Sequence, residues 1–160
     1  MLEKNSDQTA RTVEGKWGEA ITSRSFSYAL EIIKFARRCD SDYAGRVIGR
    51  QLIRSGTSVG ANVHEAQGGQ SKADFVAKMS IAHKEVLETG YWLRLAAEGG
   101  IVPEKDATRI IDETDQLRKI IASILLTAKA GRRKDRATIE HSPVQALGVK
   151  GSCRKVGNTP

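Results

Sequence analysis

The sequence predicts an all-α protein, an antiparallel up-down four-helix bundle with a flexible N-terminal arm and a basic C-terminal tail. Apolar residues recur at three- and four-residue spacing in four separate stretches, each long enough for a helix. Short punctuations at Asp40-Ser-Asp42, Gly68-Gly69 and Gly99-Gly100 stop or cap these stretches. Connections that short favour antiparallel neighbours. Aromatics make up only 5% of the 160 residues, which suits an aliphatic helical core, and no alternating strand pattern of useful length competes. The chain divides into an arm at 1–24, a bundle at 25–130 and a tail at 131–160.

Residues 1–22 are polar with little periodicity and read as a flexible arm, with Trp17 and Ile21 its candidates for docking on the core. The first helix is expected from about Ser25 to Cys39. Phe26, Ala29, Ile32, Ile33 and Ala36 form its apolar face, widened by Tyr28 and Phe35. Arg37 and Arg38 fall in its last turn, where cations suit the helix dipole. Asp42 is placed to cap the second helix, expected from about Tyr43 to Gly68-Gly69. Here Ile48, Leu52, Ser55, Val59, Asn62 and Ala66 share one face, Arg46, Arg50 and Arg54 lie roughly opposite, and Gly49, Gly56 and Gly60 share a flank. Each interior glycine costs about 1 kcal/mol relative to alanine, and close approach of another helix to that flank would offset the cost.

The third helix starts at Ser71, where Ser71-Lys-Ala-Asp74 has the form of a capping box with Asp in the Glu position. Phe75, Met79, Ala82, Val86, Gly90, Leu93 and Ala97 form one face. Ala77, Ile81, Trp92 and Leu95 form a second, nearly opposite face with Glu88 among them. A helix apolar on two sides needs two partners. One is its own core. A neighbouring subunit is the second, which makes Ile81, Trp92 and Leu95 candidate oligomer contacts; the competing reading covers this stripe with the arm or tail of the same chain. The fourth helix begins near Pro103, with Glu104 and Asp106 in its first turn. Ile110, Thr114, Leu117, Ile121, Ile124 and Ala128 form its core face with Leu125 beside it, and Gly131 is its expected end. Arg132-Arg-Lys-Asp-Arg136 then opens a stretch read as a disordered basic tail.

The net charge of +7 and pI near 9.6 favour an acidic partner, nucleic acid first. Most of the excess lies in the tail, because residues 23–130 carry sixteen Lys/Arg against thirteen Asp/Glu. Cys39 and Cys153 have no zinc or redox spacing and read as free thiols in a reducing cytoplasm. The N-terminal residues contain no apolar run of a signal peptide, and no stretch is long and apolar enough for a membrane span, so no membrane partner is expected.

Gly56-Thr-Ser-Val-Gly60 neither follows a strand nor precedes a phosphate-loop lysine, and no hydrolase or kinase pattern is present. His141-Ser142 falls in the tail. Glu65, Glu85 and Glu88 with His64 and His83 lack the paired Glu-x-x-His motifs of a carboxylate-bridged metal bundle. The expectation is therefore a non-enzymatic protein with no catalytic residue, metal or cofactor.

The run Gln51-Leu-Ile-Arg-Ser-Gly-Thr-Ser-Val-Gly-Ala-Asn-Val-His-Glu-Ala66, followed by Gln70-Ser-Lys-Ala-Asp-Phe75 and Lys84-Glu-Val-Leu-Glu-Thr-Gly-Tyr-Trp-Leu-Arg94, resembles the four-helix bundle proteins encoded in intervening sequences of bacterial 23S ribosomal RNA genes. The resemblance covers roughly residues 25–130. It implies a small antiparallel bundle, a homo-oligomer and in particular a pentameric ring. It also implies kinship with the accessory variability protein of diversity-generating retroelements, a basic bundle that binds nucleic acid and a reverse transcriptase. The family motif carries no catalytic assignment.

Two groups of polar residues remain. Ser58, Asn62 and Glu65, with Ser55, stand at helical spacing beside the core and read as a buried structural network, since an unpaired buried amide or carboxylate costs several kcal/mol. Lys34, Arg37, Arg38, Arg46, Arg50 and Arg54, joined by Arg132, Arg133, Lys134 and Arg136, are the candidate nucleic-acid contacts; the competing reading is an ordinary solvated face with a solubilising tail. Aromatics to stack bases are scarce among them, so binding would be phosphate-driven and weakly sequence-specific. The expected function is electrostatic binding of RNA or DNA by an oligomeric bundle; the alternative is a protein-interaction scaffold with no nucleic-acid role.

Overall fold

The computed structural model describes residues 4–40 and 42–140, with side chains from Gly18 to Ala130 apart from residue 41. It contains four α-helices: α1 (Lys4–Arg38), α2 (Tyr43–Gln67), α3 (Lys72–Glu98) and α4 (Glu104–Glu140). Each packs on the next, and α4 returns to α1, closing an all-α four-helix bundle.

The helix boundaries follow the punctuation. Asp42 is extended and accepts from the Gly45 N–H at 2.8 Å, capping α2. Ser71 accepts from the Asp74 N–H at 3.1 Å and caps α3. Gly68 and Gly99 are the C-caps of α2 and α3, and Gly100 takes the left-handed φ of 71° that frees the chain to turn toward α4.

Both outer helices are longer than the sequence reading set them. α1 starts at Lys4, so the stretch expected as an arm at 1–24 is mostly helical. That stretch holds no proline, and Ala10, Arg11, Glu14, Lys16, Glu19 and Ala20 are good helix formers; weak apolar periodicity did not imply a break. Ile21 docks on the core as expected and is buried. α4 passes through Gly131 and continues to Glu140. One interior glycine costs about 1 kcal/mol, too little to stop a helix that good helix formers continue. The remainder of the expected tail, with His141-Ser142 and Cys153, lies outside the described residues, as does the Trp17 side chain.

The core is aliphatic. Ile32, Leu52, Val59, Val63, Met79, Val86, Leu93, Leu117 and Ile121 are fully buried, with Tyr28 the one aromatic among the fully enclosed side chains. In α2 and α4 the expected core faces hold, with Asn62, Ile124 and Ala128 at their half-buried edges. The α1 face is turned: Tyr28, Ile32, Phe35, Ala36 and Cys39 are buried, whereas Phe26 is 65% exposed. Bracketed by α2 on one side and α4 on the other, α1 points the bisector between them inward. In α3 the buried line is Val76, Met79, Ala82, Val86, Thr89, Leu93, Ala96 and Ala97, leaving Phe75 and Gly90 half-buried.

The glycine flank of α2 lies against α1. A Cβ at Gly49 would sit 3.1 Å from the Ala36 carbonyl oxygen, and one at Gly60 would sit 3.2 Å from that of Ser25. These are contacts to the α1 backbone, so the glycines permit the close approach that offsets their helix cost. The α1–α4 seam is held differently. Arg24 grips Glu113 through Nε (2.8 Å) and Nη2 (2.9 Å) and reaches Gln116 at 2.8 Å. Arg109 pairs with Glu31 at 2.7 Å, and Arg38 pairs with Asp106. No helix among the described residues is long and apolar enough to cross a membrane.

Candidate nucleic-acid interface

The basic residues of α1 and α2 do not form one surface. Lys34 and Arg38 line a small cleft toward α4 with Glu31, Phe35, Asp106 and Arg109, on the side of α1 away from α2. Arg37 is exposed on the last turn. On α2, Arg46, Arg50 and Arg54 are all exposed on the outer face, as their spacing predicts. Carboxylates answer two of them. Arg46 lies 3.9 Å from Asp40, and Arg54 pairs with Glu88 while its Nε donates to Gln51 Oε1 at 3.1 Å. Among the described residues Arg50, Lys34 and Arg37 have no ion-pair partner. The expected stripe is thus one unanswered cation between two answered ones, and exposed pairs of this kind retain little attraction for a distant anion.

The longer α4 changes the setting of the basic run. Arg132, Arg133, Lys134 and Arg136 belong to a helix, not to an irregular tail. By the helical period Lys129, Arg132, Arg133 and Arg136 stand at i, i+3, i+4 and i+7, positions that share one face.

The polar network is also rearranged. Asn62 Nδ2 donates to the Ser58 carbonyl (2.9 Å) and Ser58 Oγ (3.2 Å), a local pair at the half-buried edge of α2. Glu65 is exposed and pairs with Lys78 at 2.5 Å, which raises the Lys78 pKa by hydrogen bonding and charge. Glu65 therefore leaves the network, since its position on α2 has turned past the core edge. The buried polar centre is built from residues that the spacing did not single out together. Ser55 Oγ donates to the Gln51 carbonyl at 2.9 Å, and Thr89 Oγ1 lies 2.9 Å from Ser55 Oγ and 2.8 Å from the Glu85 carbonyl. Thr114 Oγ1 donates to the Ile110 carbonyl at 2.6 Å. The Tyr28 hydroxyl lies 2.9 Å from Thr114 Oγ1, within hydrogen-bonding distance. Tyr28 also interacts with Thr89, and the hydroxyls connect all four helices. Burial pushes the Tyr28 phenol far above its usual range, against the opposing effect of its bonds to Thr114 and Thr89. The available signal was a threonine or serine on the core side of three helices at similar depth. Such a chain fixes helix register, because a slip by one residue would strand several buried hydroxyls.

Of the expected oligomer contacts, Ile81 and Leu95 are exposed, at 40% and 38%. Trp92 is half-buried against the core and donates its indole N–H to Glu88 at 3.1 Å. Tyr91, 56% exposed, meets the Trp92 ring edge-on at 5.0 Å. Leu87, also exposed, extends the outer apolar face of α3. Of the residues considered for a metal, Glu65 on α2 is paired with Lys78 and Glu88 on α3 with Arg54, and no group of three His, Cys, Asp or Glu gathers among the described residues. Cys39 is a buried free thiol whose pKa burial raises.

The sequence profile described as 23S rRNA-intervening sequence protein matches residues 20–123, most of the bundle. The chain belongs to this family. A solved structure described as a protein of unknown function from the S23 ribosomal protein family of Bacteroides thetaiotaomicron is 32% identical. It aligns over 68% of this chain and 97% of its own, with a TM-score of 0.64. No curated protein matches the chain. The family match begins at residue 20 and ends at 123, so the first turns of α1 and the basic end of α4 lie outside it.

Proposed function

We propose that this 23S rRNA-intervening sequence protein is a non-enzymatic, cytoplasmic homo-oligomer that binds RNA or DNA through phosphate contacts. The observation that carries the reading is the continuation of α4 through the basic run, which sets Lys129, Arg132, Arg133 and Arg136 on one helical face. Four cations at that spacing suit a phosphate backbone, and their repetition in an oligomer raises the local potential. Arg50, Lys34 and Arg37 are secondary contacts. The pentameric ring of the family and a reverse-transcriptase-like partner belong to the same proposal.

Filter binding of a single-stranded RNA against salt concentration tests it. Each phosphate contact contributes about −0.7 to the slope of log affinity against log salt for a single strand. The triple change Arg132→Gln, Arg133→Gln and Arg136→Gln should flatten that slope by about 2, whereas Arg50→Gln should flatten it by less than 1. Absence of binding at low salt, or affinity independent of salt, refutes the reading.

A protein-interaction scaffold is the second reading, favoured by the exposed apolar face of α3 at Ile81, Leu87, Tyr91 and Leu95. Partner capture that survives nuclease treatment and is lost in Leu95→Glu supports the scaffold over nucleic acid.

A further inference from the structure

The outer face of α3 has a counterpart elsewhere on the same molecule. Lys84, Leu87, Tyr91, Arg94 and Leu95 follow one another at helical spacing and are all exposed. The result is a convex strip with large apolar side chains in the middle and a cation toward each end. Neither Lys84 nor Arg94 has a carboxylate partner among the described residues; Arg94 Nε donates only to the Gly90 carbonyl at 3.3 Å.

Against the outer side of α1 and α2 lies an open groove of about 910 Å³. Small residues, Gly18, Thr22, Ser23, Gly60 and Ala61, make up half of its lining, with Phe26, His64 and Gln67 beside them; the Gln67 side chain lies over Gly18. The surface of its lining is predominantly apolar, and it includes the carboxylates of Glu19 and of Glu65, the second already paired with Lys78. Phe26 is 65% exposed in the free chain, a large apolar surface left to water beside a hollow. The two surfaces are opposite in shape and in charge. One has bulky side chains between two cations, and the other is lined largely by small residues and carries the carboxylate of Glu19, which has no ion-pair partner among the described residues.

We infer that the α3 strip of one copy of this chain docks into the α1–α2 groove of a second copy. Tyr91 and Leu87 enter the hollow beside Phe26, and one end of the strip sets its cation against Glu19. The contact joins two different surfaces, so it is head-to-tail: each copy offers a strip to one neighbour and a groove to another. Strip against strip would set Lys84 and Arg94 against their own copies and leave the groove open. The inference rests on the self-association proposed above but not on nucleic-acid binding.

Two variants at exposed positions test it, Phe26→Glu in the groove and Tyr91→Glu on the strip. Light scattering at micromolar concentration reads their mass, and circular dichroism confirms their helicity. Each variant alone is expected to lose assembly. Mixed together, the intact strip of Phe26→Glu fits the intact groove of Tyr91→Glu, and growth stops there, so a one-to-one dimer forms. If Tyr91→Glu dissociates while Phe26→Glu assembles like the parent, or if mixing produces no new species, the inference is overturned. A monomeric parent overturns the self-association reading itself. Cross-linking provides a test independent of added charge. With Cys153→Ser as background, the double variant Ala61→Cys, Leu87→Cys should oxidise into a ladder longer than a dimer, and each single cysteine variant should not.

Discussion

Alanine at Gly56 and alanine at Gly90 separate helix propensity from helix approach. Both glycines lie inside helices, so each replacement brings about 1 kcal/mol of intrinsic propensity. At Gly90 the new Cβ would lie 3.5 Å from Thr114 Cγ2, an ordinary contact. Gly90→Ala should therefore stabilise the bundle by about 0.5–1 kcal/mol. At Gly56 the Cβ would lie 2.6 Å from Ile32 Cγ2, 2.9 Å from Cγ1 and 3.0 Å from Cβ. Ile32 is fully buried and β-branched, with little freedom at χ1. With its own Cβ in the way, rotation alone cannot clear the clash, and α1 must shift outward. Overpacking of this kind costs about 1–3 kcal/mol, and because the shift also loosens the Gly49 and Gly60 contacts the upper part of that range, about 2–3 kcal/mol, applies. Gly56→Ala should lose about 1–2 kcal/mol net, which separates the two variants by roughly 1.5–3 kcal/mol. Urea denaturation followed by circular dichroism reads both, at one protein concentration so that self-association does not enter the midpoint. A Gly56→Ala variant as stable as the parent would show that the α1–α2 approach is not limited by that glycine.

Thr89→Val keeps the volume and removes the hydroxyl shared with Ser55 and Tyr28, and should cost about 1–2 kcal/mol. In the double variant Ser55→Ala, Thr89→Val the loss should be smaller than the sum of the single losses, as a thermodynamic cycle by urea denaturation would measure. Alkaline pH should weaken the bundle through Tyr28. Its folded pKa is raised, so the unfolded chain releases the phenolic proton first; the contribution is intact below about pH 10 and falls as pH rises beyond it. Stability measured from pH 8 to 11 should decline less steeply in Tyr28→Phe, and equal slopes would remove Tyr28 from the account.

The helix number, the order of the elements and the four caps of the two interior helices can be read from the sequence because local signals and long-range packing agree at Asp42, Ser71, Gly68 and Gly99. The outer ends of α1 and α4 could not. Periodicity marks burial, and a helix that continues past its neighbours has little to bury, as the stretches before Ile21 and after Gly131 show. The exact face of a helix is set by the angle between two neighbours, which explains the exposed Phe26 and buried Tyr28. At the candidate site the arginine spacing on α2 was read correctly as an outer stripe. Its neutralisation was hidden, because Glu88 reaches Arg54 from thirty-four residues away in the chain. The substitution of Thr89 and Tyr28 for Glu65 in the buried network has the same origin, for depth across helices is a property of the packed bundle and not of one strand of sequence.

The charged seam between α1 and α4 also bears on the order in which the molecule assembles. The other three helix pairs are joined by connections of a few residues and can zip from their loops. The seam must bring Arg24 to Glu113 and Arg38 to Asp106 across 89 and 68 residues of chain. Loop-closure entropy is met before those contacts form, and partly exposed ion pairs contribute little in return. The seam should therefore close late and open early, giving the bundle a door between its first and last helices. Amide exchange in which α1 residues beside Arg24 open with a lower free energy than the α2–α3 contact at Ser55 would register that door, and equal protection would argue against it.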